Sequence, residues 1–430
     1  MLICGLYEMD ITPPLGSEMP GYFNIRLADG VKEKLYTQAA YFEDGQNRRI
    51  VIISADGAQI PDEVNARVRP AVAKALDMDI TGVLTCATHI HTGGPLLTWA
   101  DFCHADAAYM DFLTQRMIDT AKLAQKEKRS VKIGFSSGYD DRLAHYRDFV
   151  MADGSYRTNP PIEASKRAYG DIDPEVGVLR IDAVTGEPYG AVVNYACHTD
   201  CVGGTEFSSD FPGAMRNTLR KLYGKAYTPI FVNGFFGNIN HVDFDHGTHR
   251  VDGYYLSMGR RLAAEASRAM ETAILTSNVE IQMACETINL PTREPDDALL
   301  AWADMIEQDV EHQSVVDRHY AAEAKRIYAL GVRQIPLVMQ VLKLGDLLIF
   351  ASPKEMYVEF QFMLKEMSPA KYNFCIGLAN GPCGYVPIRE LFQPGIYEAR
   401  LNGNQLVEDA GYIMVDKLLE LAYQLCSDAD

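Results

Sequence analysis

Four long apolar runs in this chain stop abruptly in short polar segments built from His, Asn, Asp and Gly, and this pattern restricts the fold more than any other feature. The segments are "CATHIHTGGP" (86–95), "NYACHTDCVGG" (194–204), "NGFFGNINHVD" (233–243) and "LLIFASPKEMYVEF" (347–360). An apolar run of strand length that needs burial on both faces belongs to a sheet covered by other layers. Between the runs lie amphipathic stretches of helical period, such as "EVNARVRPAVAKAL" and "GYYLSMGRRLAAEASRAMETA". The alternation predicts an α/β fold: multilayer, with mixed β-sheets flanked by helices. In such folds ligands collect outside the C-terminal ends of strands, where the polar segments fall.

The chain has 430 residues with 47% hydrophobic and 23% charged, enough apolar material for a large core. No Gly/Pro/Ser-rich linker, internal repeat or low-complexity tract divides it. A single large domain over 1–430 is therefore expected, with a charge-rich helical insertion at 295–330. In that insertion Trp302, Met305, Ile306 and Val310 fall at helical spacing, as expected for a hairpin packed on the core or for a lid. The Gly-, Pro- and Asp-rich stretch 145–174 reads as a long ordered loop. A helix is predicted to start near Pro212.

A net charge of −18 argues against binding a nucleic-acid backbone or an anionic membrane surface. No run approaches the length of a membrane span. The nine cysteines include no CxxC pair, which points to a reducing compartment rather than a disulfide framework. With no basic, apolar leader at the N-terminus, a cytoplasmic protein is expected. Neither GxSxG nor a nucleotide-binding glycine motif occurs, and Cys197 and Cys201 read as a core and a loop residue.

His89 and His91 stand one residue apart at a strand end, a spacing that puts both on one face of an extended strand. Such a pair can grip a metal ion, flank a reacting group or satisfy local hydrogen bonds. A distant strand-end histidine, His198, and a carboxylate, Glu355, follow the same arrangement. Imidazole and carboxylate together suit zinc, whose catalytic sites keep one position open for water. Structural histidines at a loop mouth are the competing reading of the same residues.

"DITPPLGSEMPGY", "ATHIHTGGP", "NYACHTD…SSDFPGAMR" and "NGFFGNINH" occur in the order of motifs in the neutral/alkaline, non-lysosomal ceramidases. The sequence resembles the catalytic domain of that family over nearly its whole length. It does not extend to the signal peptide or C-terminal immunoglobulin-like domain of characterised members. The resemblance implies one Zn2+ per chain, held by His89, His198, Glu355 and Tyr385 (in "NGPCGYVP"). It also places His91 beside metal and substrate, and sets Arg147 (in "HYRDF") and Tyr397 (in "IYEAR") toward the substrate. Asn240 stands where the family has an active-site Ser, which removes a hydroxyl and leaves a side chain able to orient substrate or donate to an oxyanion.

The expected activity is zinc-dependent cleavage of an N-acyl carboxamide by metal-activated water. The lost Ser and the acidic chain, without a basic interfacial helix, point to a small, soluble N-acyl substrate rather than ceramide. A metal-dependent esterase or deacylase, and a non-catalytic binding protein on the same scaffold, are the alternatives. Nothing in the sequence gives the oligomeric state.

Overall fold

The computed structural model describes residues 1–100, 102–244, 246 and 252–427. Its main sheet has eight strands in the order Thr228–Asn233, Pro188–Tyr195, Glu175–Ala183, Arg129–Tyr139, Ile3–Asp10, Tyr36–Glu43, Arg49–Ala55, Val83–Ala87. The outermost pair at each end is parallel and the others are antiparallel. Each parallel pair needs a crossover helix. Asp62–Ala75 supplies one and Asp210–Tyr223 the other. The second of these begins two residues before Pro212, which the first turn of a helix tolerates.

A second sheet contains Ile281–Pro291, Gln334–Leu344, Leu347–Ala351 and Tyr372–Ile376. Its last two strands are again parallel, joined across the helix Val358–Met367. The two sheets pack face to face over a core that includes Phe42, Ile52, Leu84, Val192, Ile230, Leu342, Ile349 and Phe374. Helices cover the outer face of each sheet through three further clusters. The result is a four-layer α/β/β/α architecture, the multilayer mixed-sheet class that the alternation of runs predicts.

The main sheet curls until its far edge returns to its near one. Ser54 Oγ donates to the Phe231 carbonyl at 2.8 Å, and Gln38 Nε2 donates to the Pro229 carbonyl at 2.9 Å. Strands at opposite ends of the sheet order therefore end beside one another. A buried ion pair under this junction joins Arg216 to Asp56, Nη2 to Oδ2 at 2.6 Å.

Two local expectations are corrected. The stretch 145–174 is not simply a long ordered loop, because it carries a three-stranded antiparallel sheet in which Asp148–Met151 lies between Lys166–Ala168 and Tyr156–Thr158. Its strands are only three or four residues long, too short for periodicity to stand out among the turn residues. The insertion is a hairpin of helices Asp297–Gln308 and Val315–Leu330, but only part of the expected stripe faces inward. Ile306 is buried, whereas Met305 and Val310 are exposed at 56% and 42%. Cys201 lies in the loop after Tyr195, as expected, and is buried there, its Sγ at 3.6 Å from Met258 Sδ.

All nine cysteines are free, and no helix among the described residues is long and apolar enough to cross a membrane.

Candidate metal centre

The four polar segments meet at the mouth of the curled sheet. The strand Val83–Ala87 ends before His89, whose backbone adopts the left-handed region at φ 67°. His89 and His91 are therefore not neighbours on an extended strand. The chain turns instead, held by His89 N–H donating to the Gly57 carbonyl at 2.9 Å. The imidazoles still converge, with the two Nε2 atoms 3.4 Å apart. A parallel bridge between Ile90 and Thr199 ties this turn to the segment after Tyr195. Thr199 Oγ donating to the Thr88 carbonyl at 2.7 Å reinforces it and brings in His198.

Glu355 and Tyr385 arrive together. They are directly opposed in a short parallel ladder between Glu355–Met356 and Tyr385–Val386. Glu355 Oε2 lies 3.3 Å from both His89 Nε2 and His198 Nε2. Tyr385 Oη lies 3.5 Å from His198 Nε2. Gly237 presses against the same strand, donating its N–H to the Met356 carbonyl at 2.8 Å.

The protonation pattern of this cluster decides its chemistry. His89 Nδ1 stands 2.8 Å from the Ala58 carbonyl, and His198 Nδ1 stands 3.0 Å from the carbonyls of Phe236 and Ile239. A carbonyl only accepts, so in both rings Nδ1 carries a hydrogen and Nε2 is the atom turned toward the cluster. Burial, followed by the Arg147 charge, draws His198 down to about 3, which keeps it neutral. Burial opposes ionisation of Glu355, and only positive charge at the two facing Nε2 positions, a proton or a cation, outweighs it and holds the carboxyl well below its usual range. Glu355 Oε2 is buried and makes no hydrogen bond.

Three donor atoms thus face one point, an arrangement of buried polar groups that a bound cation would stabilise by several kcal/mol. Donor atoms at tetrahedral zinc distances are about 3.3 Å apart, which matches the spacings around Glu355 Oε2. The ligand atoms of His89, His91 and His198 also all lie within 4.8 Å of one another, so this buried group is able to hold a metal ion. The donor set fits a divalent cation.

His91 differs from the other two histidines. Its Nδ1 faces Asp200 Oδ1 at 3.4 Å, and the same carboxylate oxygen accepts from Tyr22 Oη. Arg147 is buried against Glu398, Nη2 to Oε1 at 2.5 Å, and also donates to the Gly237 carbonyl at 2.6 Å. Its Nη1 stands 3.3 Å from His198 Nε2, so the guanidinium reaches the edge of the cluster. Glu398 shares Thr158 Oγ with Asp148, at 2.8 and 2.5 Å. One hydroxyl hydrogen cannot serve two carboxylates. Burial, and then the Glu398 charge, raises Asp148 well above the carboxylate range, which makes it the neutral partner.

Tyr397 is anchored by its N–H to Thr158 Oγ at 3.0 Å, and its ring packs edge-on to Tyr385 at 5.7 Å. Asn240 is buried one strand further back, paired with His145, and its Oδ1 accepts from Val242 N–H at 3.2 Å. It is not among the described residues that line the cavity over the cluster. That cavity, of about 470 Å³, is lined by His89, His91, Glu355, Tyr385 and Tyr397, and by Tyr320 of the helical hairpin.

No sequence pattern marks Asp200, Glu398 or Lys354, although each adjoins a residue that one does. His198–Thr199 precede Asp200, Tyr397 precedes Glu398, and Lys354 precedes Glu355.

Gly237 is crowded enough to be tested by substitution. A Cβ there would sit 2.4 Å from the Glu355 carbonyl oxygen and 3.0 Å from that of Met356. Gly237→Ala is expected to push the Glu355 strand outward and weaken divalent-metal binding by about tenfold to a hundredfold, as loss of support around a ligand does. A competition titration against a zinc chelator measures this, and unchanged affinity would remove Gly237 from the support of Glu355.

Fold and site together define an α/β protein whose parallel strand ends gather a buried three-histidine group able to hold a metal ion. The fold is that of neutral ceramidase. The neutral ceramidase from Pseudomonas aeruginosa superposes with a TM-score of 0.75 at 18% identity, over 99% of this chain and 74% of that one. A ceramidase complexed with C2 superposes with a TM-score of 0.73 at 16% identity, over 99% of this chain and 75% of that one. No known family profile matches the chain, and no curated protein sequence does.

Proposed function

We propose that the chain is a metal-dependent hydrolase that cleaves the carboxamide bond of a small, soluble N-acyl substrate, with Zn2+ held by His89, His198, Glu355 and Tyr385. The observation that carries this reading is the convergence of three potential ligand atoms, His89 Nε2, His198 Nε2 and Glu355 Oε2, on one point. The ceramidase fold supports it.

Zinc, when bound, supplies Lewis acidity, bringing the pKa of water toward about 7 and polarising an acyl oxygen. The chain's residues do the rest. His91, oriented by Asp200 through Nδ1, takes the proton of the attacking water on Nε2. The water oxygen adds to the acyl carbon, the C–N bond breaks, and His91 returns the proton to the departing amine nitrogen. Arg147 and Tyr397 orient the acyl group and offer N–H and O–H donors to the oxygen that gains charge. Asn240 contributes from behind this layer by fixing the strand end at 239–240. The cavity volume suits a drug-sized molecule, and the free cysteines suit a reducing, cytoplasmic setting.

The test is a panel of N-acyl amides, matched esters and ceramide incubated with the zinc-supplied protein and followed by mass spectrometry. Small amides are expected to be cleaved and ceramide not. Cleavage of esters alone would make the protein an esterase or deacylase. A metal-loaded protein that cleaves nothing would be a binding protein.

A further inference from the structure

Lys354 immediately precedes Glu355 and lines the same cavity as His89, His91 and Tyr385. Its backbone sits in the left-handed region at φ 80°, where L side chains are rare and glycine is the ordinary choice. A strained, non-glycine residue beside a reactive centre is a reason to ask what its side chain does. The side chain turns toward Gly384, and its Nζ lies 3.6 Å from where a Cβ on that glycine would stand. Nζ donates to the Cys383 carbonyl at 2.9 Å.

An ammonium has three donors, and here the carbonyl is the one acceptor among the described residues. Asp62 lies on the same wall but is exposed and beyond ion-pair distance. Glu355 directs its carboxylate to the histidines. Lys365 shows the contrast, for it is partly buried and held by both Asp173 and Glu175 at 2.6 Å. Gln405, Asn402 and Thr98, also on the cavity wall, are neutral. Lys354 therefore makes no ion pair among the described residues, Asp62 and Glu355 acting on it only from a distance, and it stands beside a cluster that itself calls for a cation. A chain of net charge −18 does not gather anions through its long-range field, so anion selection here has to be local.

We propose that Lys354 is a specificity determinant that pairs with a carboxylate of the substrate. The amide cleaved at this site then carries a carboxylate, as an N-acyl amino acid or the half-amide of a dicarboxylic acid does. This rests on the amide-hydrolase reading above, and its test separates the two.

Binding of N-acetylglycine, succinamic acid and neutral N-acetylglycinamide to the zinc-loaded protein is measured by calorimetry, for the native chain and for Lys354→Met and Lys354→Arg. One of the two acids is expected to bind at least about tenfold more tightly than the neutral amide, the scale of a hydrogen bond to a charged group. Which acid does so tells whether the carboxylate sits on the amine or the acyl side. Lys354→Met is expected to abolish that preference while zinc content and melting temperature stay unchanged, and Lys354→Arg to restore most of it.

Equal binding of acid and amide by the native chain, or a preference that survives in Lys354→Met, overturns the proposal. Hydrolysis is scored in parallel. A Lys354-dependent preference without any cleavage leaves the carboxylate site standing and brings down the hydrolase.

Discussion

Replacing His198 by alanine is expected to lower bound zinc from about one ion per chain to less than a tenth, and turnover of the best amide by at least about a thousandfold. His198 Nε2 is one of two imidazole nitrogens beside the buried Glu355 oxygen. Without it the site keeps too few ligands to compete with water for the ion. His91→Ala is expected to behave differently. Its Nδ1 is engaged toward Asp200, as suits a proton carrier. Zinc should then remain while the rate falls by about a hundredfold to ten-thousandfold. Elemental mass spectrometry on the two variants decides the matter. Loss of zinc from His91→Ala would make His91 a ligand, as the proximity of all three imidazoles allows. Zinc retained by His198→Ala together with full turnover would sink the metal-centre reading.

The second large effect concerns stability. Arg147→Met leaves Glu398, which is 0% exposed, without its cation and beside Asp148, also 0% exposed. Removing one partner of a buried pair costs about 3–5 kcal/mol, because the remaining charge stays desolvated. The loss should depend on pH, with a sign that can be worked out. Asp148 is raised in the native chain and loses the Arg147 charge that draws it down, so in the variant the folded form holds a proton that the unfolded chain releases, and stability falls as pH rises above the unfolded pKa. Urea denaturation should therefore show the variant weakest at pH 8 and closest to the native chain near pH 5. Adding Glu398→Gln should recover much of the loss. A pH-independent loss would mean that the methionine packs badly and that charge is not the cause.

Much of this site is legible in the amino-acid sequence, because it depends on strand ends. An apolar run that stops at His89, His198 or Glu355 marks a sheet terminus whatever the sheet order. The curl of the main sheet is not legible there. It rests on contacts such as Ser54 with Phe231, 177 positions apart, which no local pattern records. Nor does residue spacing show that His89 leaves the strand in a left-handed turn, since a non-glycine φ of 67° contradicts local preference and is held by tertiary hydrogen bonds. Glu398 is invisible for a related reason. In sequence it is one acid among 58 acidic residues, and only the fold turns it inward against Arg147.

The helical hairpin joins two strands zipped together as far as Pro291 and Gln334, so it is hinged on a firm ribbon. Its own buried cluster consists of Ala303, Ile306, Ala321 and Ala324, three of them alanines, with Leu299 and Trp302 partly buried against it. The hairpin is fastened to the body at the cavity rim, where Trp99 Nε1 stands 3.1 Å from His319 Nε2 and Arg400 covers the Tyr320 ring. A unit with so little apolar burial opens at a fraction of the free energy that unfolds the four layers beneath it. Amide hydrogen exchange in the hairpin should therefore outpace exchange in the sheets beneath it, and the rim of the cavity can loosen at a cost the scaffold does not share.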